Sequence, residues 1–521
     1  MLRATSDSGE SMAQEHAGEK KRKKQAAAGR PGAGRRDAAK LRGAQSGGKK
    51  RSGARPGIMR SNGGNPFGKK RSGRDVSTVG DPCGASRQCG ACQHIAQPYG
   101  QQLQAKFDYV RNLYAQAGLA PAVESDAQAQ AVPSPEFRPV LGMADPRYYR
   151  NKVISPFARG KRLADGKRGA RYEIKTGMYA AHSHRLVDTS GCLIENQQAK
   201  QVVADVKHLM GRFGIEPYDE DSGEGFMRHV VVRVGHESGE VLVTLVTNDD
   251  AFPSSKAFCR ELVRRCPFVT TVVQNVNTRR TNVILGEVEH RLYGPGFILD
   301  TLCGLSFRIS SKSFYQVNAT QTEVLYNAAI DLAALDGMQD AIDAYCGTGT
   351  IGLVAASRGA RSVVGVDSVE SAIKDARENA RHNGVENARF VVGDASAFMR
   401  DLARRDGSRN AALPDGGRNA VEQECVTDTP ATQGPGADFD PDSLVVFMDP
   451  PRAGSTEVFL DALAALSPAR VVYISCNAET QVRDLAYLQK YGYRPQVVQP
   501  VDMFPHTDHI EVVALLSRMG R

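Results

Sequence analysis

No stretch of the 521-residue chain approaches the run of about 20 apolar residues that crosses a bilayer, so a helical membrane span is excluded. The N-terminus lacks the apolar core of a secretory signal, and a cytoplasmic location is expected. Cysteine is sparse: ten in a chain of this length are too dilute for a disulfide scaffold. Their clustering points instead to metal binding or catalysis. Acidic residues are scarce at one end only. Residues 1–80 carry 20 Lys and Arg against 6 Asp and Glu, a net of +14, while the remainder nets −5. This arm ("EKKRKKQAAAGRPGAGRRDAAK") has no apolar period and cannot bury enough surface to fold alone. A disordered polycation fits a polyanion, above all nucleic acid; the plain alternative is a solvated tail.

What is present divides the chain at 80 and again at 305. In 81–305, "QQLQAKFDYVRNLYAQAGL" sets Leu103, Phe107, Val110 and Leu113 at helical spacing, with Gly118 as a stop. Residues 120–138 read as a linker. The runs "HVVVRVG", "EVLVTLVT", "TTVVQNVN" and "TNVILGEVEHRLYG" read as antiparallel strands of a mixed α+β domain. From 306 the rhythm changes. Strand-like runs end at Tyr345, Asp367, Asp394, Asp449 and Cys476, with helical stretches between the earlier ones. "SAIKDARENARHNG" is one of these, with Ile373, Ala376 and Ala380 on one face and Gly384 past its end. Such alternation means an α/β, doubly wound, Rossmann-like parallel sheet. "PQVVQPVDMF" and "IEVVALLSR" lack a helix between them and predict a terminal antiparallel pair. Residues 406–441, polar and rich in Gly and Pro, read as a disordered insertion containing an incidental Cys425.

"IDAYCGTGTIG" places Gly347, Gly349 and Gly352 in a turn between a strand and a helix. The spacing fits a nicotinamide or an S-adenosylmethionine enzyme equally. Asp367 ends the second strand as the acid for ribose hydroxyls, and Asp394 ends the third, placed to accept from an adenine amino group. The fourth strand ends "MDPPRAG", an acid before two prolines, which makes a rigid turn with Asp449 at the pocket. That turn suits a methyltransferase holding a flat base against a sulfonium methyl better than it suits a dehydrogenase.

The next strand delivers Cys476 in "VVYISCNAET". A buried thiol is commonly a small hydrophobe. Ligands, however, bind beyond the carboxyl ends of such strands. Uracil C5 is a poor nucleophile, and a thiolate adding at C6 makes it reactive. A base must then take the C5 proton. Glu511, opening the last strand after "MFPHTDH", stands where such a base is needed.

"SFYQVN", "FMDPPRAG", "ISCNAET" and "DMFPHTDHIEVV", in this order, resemble the class I RNA uracil-C5 methyltransferases that act on 23S rRNA and tRNA, over about residues 81–521. The resemblance implies that Cys476 is the nucleophile and Glu511 the base. It implies that Gln316, Tyr345, Asp367 and Asp449 contact S-adenosylmethionine, with Asp394 and Thr350 at further contact positions. Rival readings are a cytosine-C5 methyltransferase, which lacks here its Pro-Cys element, and a nicotinamide-dependent iron–sulfur redox protein.

"DPCGASRQCGACQH" holds Cys83, Cys89 and Cys92, and Cys192 is available as a fourth ligand. Spacing alone allows structural zinc or a [4Fe–4S] cluster. The resemblance favours the cluster, because the 23S rRNA branch shares the spacing. That branch commonly carries an N-terminal β-barrel for RNA, and residues before Cys83 show no strand pattern. The basic arm is the expected substitute, with Arg150 and Lys152 in "DPRYYRNKVISPF" as further phosphate contacts. RNA as partner and a monomer complete the expectations.

Overall fold

The computed structural model describes residues 82–121, 134–163, 172–180, 183, 185–405 and 439–518. The basic arm and nearly all of the 406–441 insertion, Cys425 included, lie outside these residues.

An eight-stranded sheet organises the C-terminal part. Its order is Glu136–Phe137, Tyr493–Val501, Glu511–Arg518, Arg470–Ser475, Val445–Met448, Asp340–Ala344, Ser362–Asp367 and Ala388–Val392. The last five of these pair in parallel, and Glu511–Arg518 runs antiparallel to both neighbours. Alternate residues feed two cores. Ala341, Phe447, Val472 and Val513 face one side, and Ile342, Val446, Tyr473 and Val512 the other. Burial on both faces explains why these strands read as unbroken apolar runs. The helix from "SAIKDARENARHNG" spans Glu370–His382, and the terminal antiparallel pair forms as expected.

Three expectations are corrected. The central sheet (Tyr172–Thr176, Lys152–Arg162, Met227–Val234, Val241–Thr247, Val269–Val276, Val288–Tyr293) is not wholly antiparallel. Val241–Thr247 pairs in parallel with Val269–Val276. The crossover between them is the helix Ser255–Arg265, whose buried face is only Phe258, Cys259 and Leu262. Part of the supposed linker is a strand, Glu136–Phe137, paired with Val497 and Val498.

The third correction concerns the helix Tyr99–Gln116, which does not bury Leu103, Phe107 and Leu113. Its buried residues are Gln102, Lys106, Val110 and Tyr114, one step round. Val110 and Tyr114 enter the core of the C-terminal sheet, so this helix, placed with the 81–305 segment by sequence, packs on the other body. Its polar pair is buried because each member has partners there, described below.

Candidate active site

The pocket forms where the parallel strands end. After Asp340–Ala344 the chain turns through Tyr345 (φ 65°), Gly347 (φ 54°) and Gly349 (φ 78°) into the helix Thr350–Ser357. A tyrosine in the left-handed region is strained, and such strain concentrates at functional sites. Asp367 fixes the turn: its carboxylate accepts from Gly347 N at 3.0 Å and from Val369 N at 2.8 Å. Gly349 is needed for space, since a Cβ there would lie 2.7 Å from the Phe390 ring. A Cβ at Gly347 would meet nothing within 4 Å, which leaves room beside the backbone for a ligand.

Sequence reading missed Asp343, the penultimate residue of the first strand. One of its oxygens accepts from Gly352 N at 2.7 Å, and the other is buried with no partner. Burial pushes this carboxyl up to about 8. An orphaned acceptor beneath an open glycine turn fits a ligand that brings donors, as the amino-acid part and ribose of S-adenosylmethionine do.

Tyr345 stacks at a tilt on Phe459, 5.3 Å between ring centroids, and its hydroxyl shares a hydrogen bond with Ser455 at 3.0 Å. Burial raises the Tyr345 phenol, and the negative charge of Asp394 adds to the shift. Asp394 also accepts from Ala397 N at 2.9 Å, capping the helix Ala395–Arg405, so part of its carboxylate is engaged structurally. Thr350 Oγ1 lies 3.2 Å from the Tyr326 hydroxyl. Gln316 is half-buried, and its carbonyl accepts from Asn151 Nδ2 at 3.0 Å, which pins the loop that carries it. Two residues before it, Phe314 is 69 % exposed, an aromatic face that sequence reading passed over.

The reactive groups converge on the next strand ends. Ser475, the last residue of its strand, pairs with Val512 in the antiparallel ladder, so Cys476 leaves the strand end beside Glu511. The electrostatics agree. The half-buried Cys476 thiol is raised first by burial, then by Glu511 and Asp449, and lowered by Arg452, which also hydrogen-bonds it. Glu511 is only 4 % exposed, and burial, then Asp449, lift its carboxyl well above the usual range. Burial lifts Asp449 to about 7.

Arg452 is the other residue that sequence reading missed. It follows the double proline, and its carbonyl accepts from Asn477 Nδ2 at 3.0 Å and Thr480 Oγ1 at 3.2 Å. Ser475 Oγ bonds both to the amide of Asn477 and to its carbonyl, so the turn carrying the thiol is locked to the turn carrying Asp449. His506, a conceivable base, is committed elsewhere. Its Nε2 meets Pro146 O at 3.1 Å and its Nδ1 meets the Gln102 amide at 3.3 Å.

The second cluster forms around Cys92. Its thiol is pushed up to about 12 by burial and then by Cys192, Cys89 and Cys83 in turn, while Arg150 opposes the shift. All four line one cavity of about 610 Å³, which Arg150 also lines. Among the described residues, no three His, Cys, Asp or Glu side chains converge closely enough to hold a metal ion as they stand. An all-thiol donor set suits zinc or an iron–sulfur cluster. Nearby, burial and then the charges of Arg233 and Arg150 lower Lys152 to about 8.

A doubly wound sheet, a glycine turn over an orphaned carboxylate and an acid at the second strand end fit a class I methyltransferase that uses S-adenosylmethionine. The comparisons agree: residues 336–408 match the methyltransferase domain family and residues 438–519 the tRNA (uracil-5-)-methyltransferase family. An RNA methyltransferase of Halalkalibacterium halodurans is 38 % identical over 436 residues, covering 84 % of this chain and 83 % of its own. One from Clostridium tetani is 34 % identical over 446 residues, covering 85 % and 84 %. The crystal structure of the Pyrococcus abyssi tRNA (uracil-54, C5)-methyltransferase with S-adenosyl-L-homocysteine superposes with a TM-score of 0.57 at 25 % identity, covering 80 % of this chain and 83 % of that one. The chain belongs to the uracil-5 RNA methyltransferase family. The nicotinamide reading of the glycine turn is thereby set aside. No helix among the described residues is long and apolar enough to cross a membrane.

Proposed function

We propose that the protein methylates C5 of a uridine in 23S rRNA, acting as a cytoplasmic monomer. The observation that carries this reading is Cys476 beside Glu511, with Asp449 and Arg452 close to both. S-adenosylmethionine supplies an electrophilic methyl on a sulfonium. Gln316, Tyr345, Asp367, Asp394 and Asp449 would hold it, and the unpartnered oxygen of Asp343 would be available to one of its donors.

The chain's residues do the rest. Cys476, as thiolate, forms a bond to uracil C6, and the ring electrons move toward C5 and O4. Arg452 stabilises the thiolate by charge and hydrogen bond. C5 would then take the methyl group as the sulfonium's sulfur–methyl bond breaks, leaving S-adenosylhomocysteine. Glu511 removes the C5 proton, the C5–C6 double bond re-forms, and Cys476 leaves as thiolate. The closed pocket around Glu511 keeps water from quenching the adduct.

Cys83, Cys89, Cys92 and Cys192 would hold a [4Fe–4S] cluster. The all-thiol donor set, the shared cavity and the cysteine spacing support it, and methyl transfer needs no redox step from it. The same spacing supports rRNA over tRNA, while the name of the Pyrococcus relative favours tRNA. Arg150, Lys152 and the basic arm would supply phosphate contacts. Mass spectrometry of nucleosides from a deletion strain separates the substrates. Loss of 5-methyluridine from one 23S rRNA position is expected; loss from tRNA alone overturns the rRNA assignment.

A further inference from the structure

Glu511 opens its strand after the nine-residue segment 502–510, which links the last two strands; Val501 pairs directly with Glu511 across them. This segment has little regular structure of its own, and His506 within it is strained at φ 70°. It is held from outside, chiefly by the helix Tyr99–Gln116 and the residues just before it. Lys106 Nζ donates to Asp502 Oδ1 at 2.7 Å and to Phe504 O at 3.3 Å. Tyr99 donates its hydroxyl to Asp502 Oδ2 at 2.8 Å. Gln102 Oε1 accepts from His506 N at 3.1 Å. The His94 amide donates to His506 O at 3.0 Å, and its ring meets Asp508 Oδ1 at 2.5 Å.

Lys106 and Asp502 are 2 % and 0 % exposed. A fully buried ion pair is a poor source of stability compared with apolar packing, and its best-attested use is to fix one register. Here it sits on the buried face of the helix, one step round from the expected apolar stripe, and it grips the segment at its first residue. We propose that Tyr99, Gln102 and Lys106 are positioning residues for Glu511, which set the carboxylate against the target base. The inference rests on Glu511 as the base. It also gives the segment after Cys92 a role in the reaction: His94, two residues on, is the first anchor of the strap.

The test uses the full-length protein, S-adenosylmethionine and rRNA transcribed with 5-tritiated uridine. Tritium release reports proton removal, and protein-linked methylated RNA reports the steps before it. In Lys106→Met, release should slow by about a hundred-fold, the cost of misplacing a group by about 1 Å. Protein-linked RNA should accumulate and S-adenosylmethionine should bind as in the wild type. Tyr99→Phe, which loses one hydroxyl and should fold normally, should show the same split to a smaller degree. It decides the matter if Lys106→Met does not fold. Release and adduct at wild-type levels in Tyr99→Phe, or an equal fall in methyl incorporation and release, would overturn the proposal. Glu511→Gln is run beside them. If it fails to trap RNA, the base assignment itself is wrong; if it traps RNA and the helix variants do not, only the positioning role falls.

Discussion

Two glycines two residues apart should respond to the same substitution in opposite ways. Gly349 and Gly347 both have positive φ, so an alanine at either costs about 1–2 kcal/mol in backbone strain. At Gly349 the new methyl would lie 2.7 Å from Phe390 Cε1 and Cζ and 2.9 Å from Ala376 Cβ. Phe390 is 2 % exposed, and its ring also rests against Gly365, where a Cβ would fall 2.5 Å from Cδ1. The ring has nowhere to retreat, and overpacking of this kind adds about 1–3 kcal/mol. Gly349→Ala should therefore lose about 2–5 kcal/mol of stability. Gly347→Ala meets no protein atom, so its cost should stay near the backbone strain, while its methyl occupies space assigned to the ligand. Denaturant unfolding and titration calorimetry with S-adenosylmethionine separate the two. A Gly347→Ala protein that binds the ligand with wild-type affinity, or a Gly349→Ala protein of wild-type stability, would refute the account of the turn.

Between about pH 6 and 8, kcat/KM should rise with pH by at least about tenfold per unit, since the thiol alone contributes that much and Glu511 adds to it wherever it is still protonated. The Cys476 thiol is raised, so its thiolate is the minor form there, and Glu511, raised as well, also becomes a base only as protons leave; a falling profile would contradict both roles. Anaerobically purified protein should carry about four irons per chain, and zinc without iron would replace the cluster by a structural metal. Deleting residues 1–78 should weaken RNA binding and flatten its salt dependence, each lost phosphate contact removing about 0.7–0.9 from the log–log slope; an unchanged slope would make the arm a solvated tail.

The strand-end residues were legible because a parallel strand buried on both faces is an apolar run, and Asp367 and Cys476 interrupt such runs. Glu511 stood out for the same reason. The parallel pair in the central sheet was hidden because its crossover helix is so polar outside Phe258, Cys259 and Leu262. Arg452 carries no periodic signal: it is an exposed cation that matters only because the thiol turn closes onto it. Lys106 and Asp502 are 396 positions apart, and nothing in a helix pattern says that a lysine at a core position has a buried carboxylate waiting.

The central claim is that Cys476 attacks the uracil ring. RNA carrying 5-fluorouridine at the target position tests it directly, since fluorine cannot leave as a proton. With S-adenosylmethionine present, the protein should form a stable covalent complex, and peptide mass spectrometry should place the nucleotide on Cys476. Cys476→Ala should form none and still bind S-adenosylmethionine. A nucleotide attached to any other residue, or turnover by Cys476→Ala at the wild-type rate, would contradict the account.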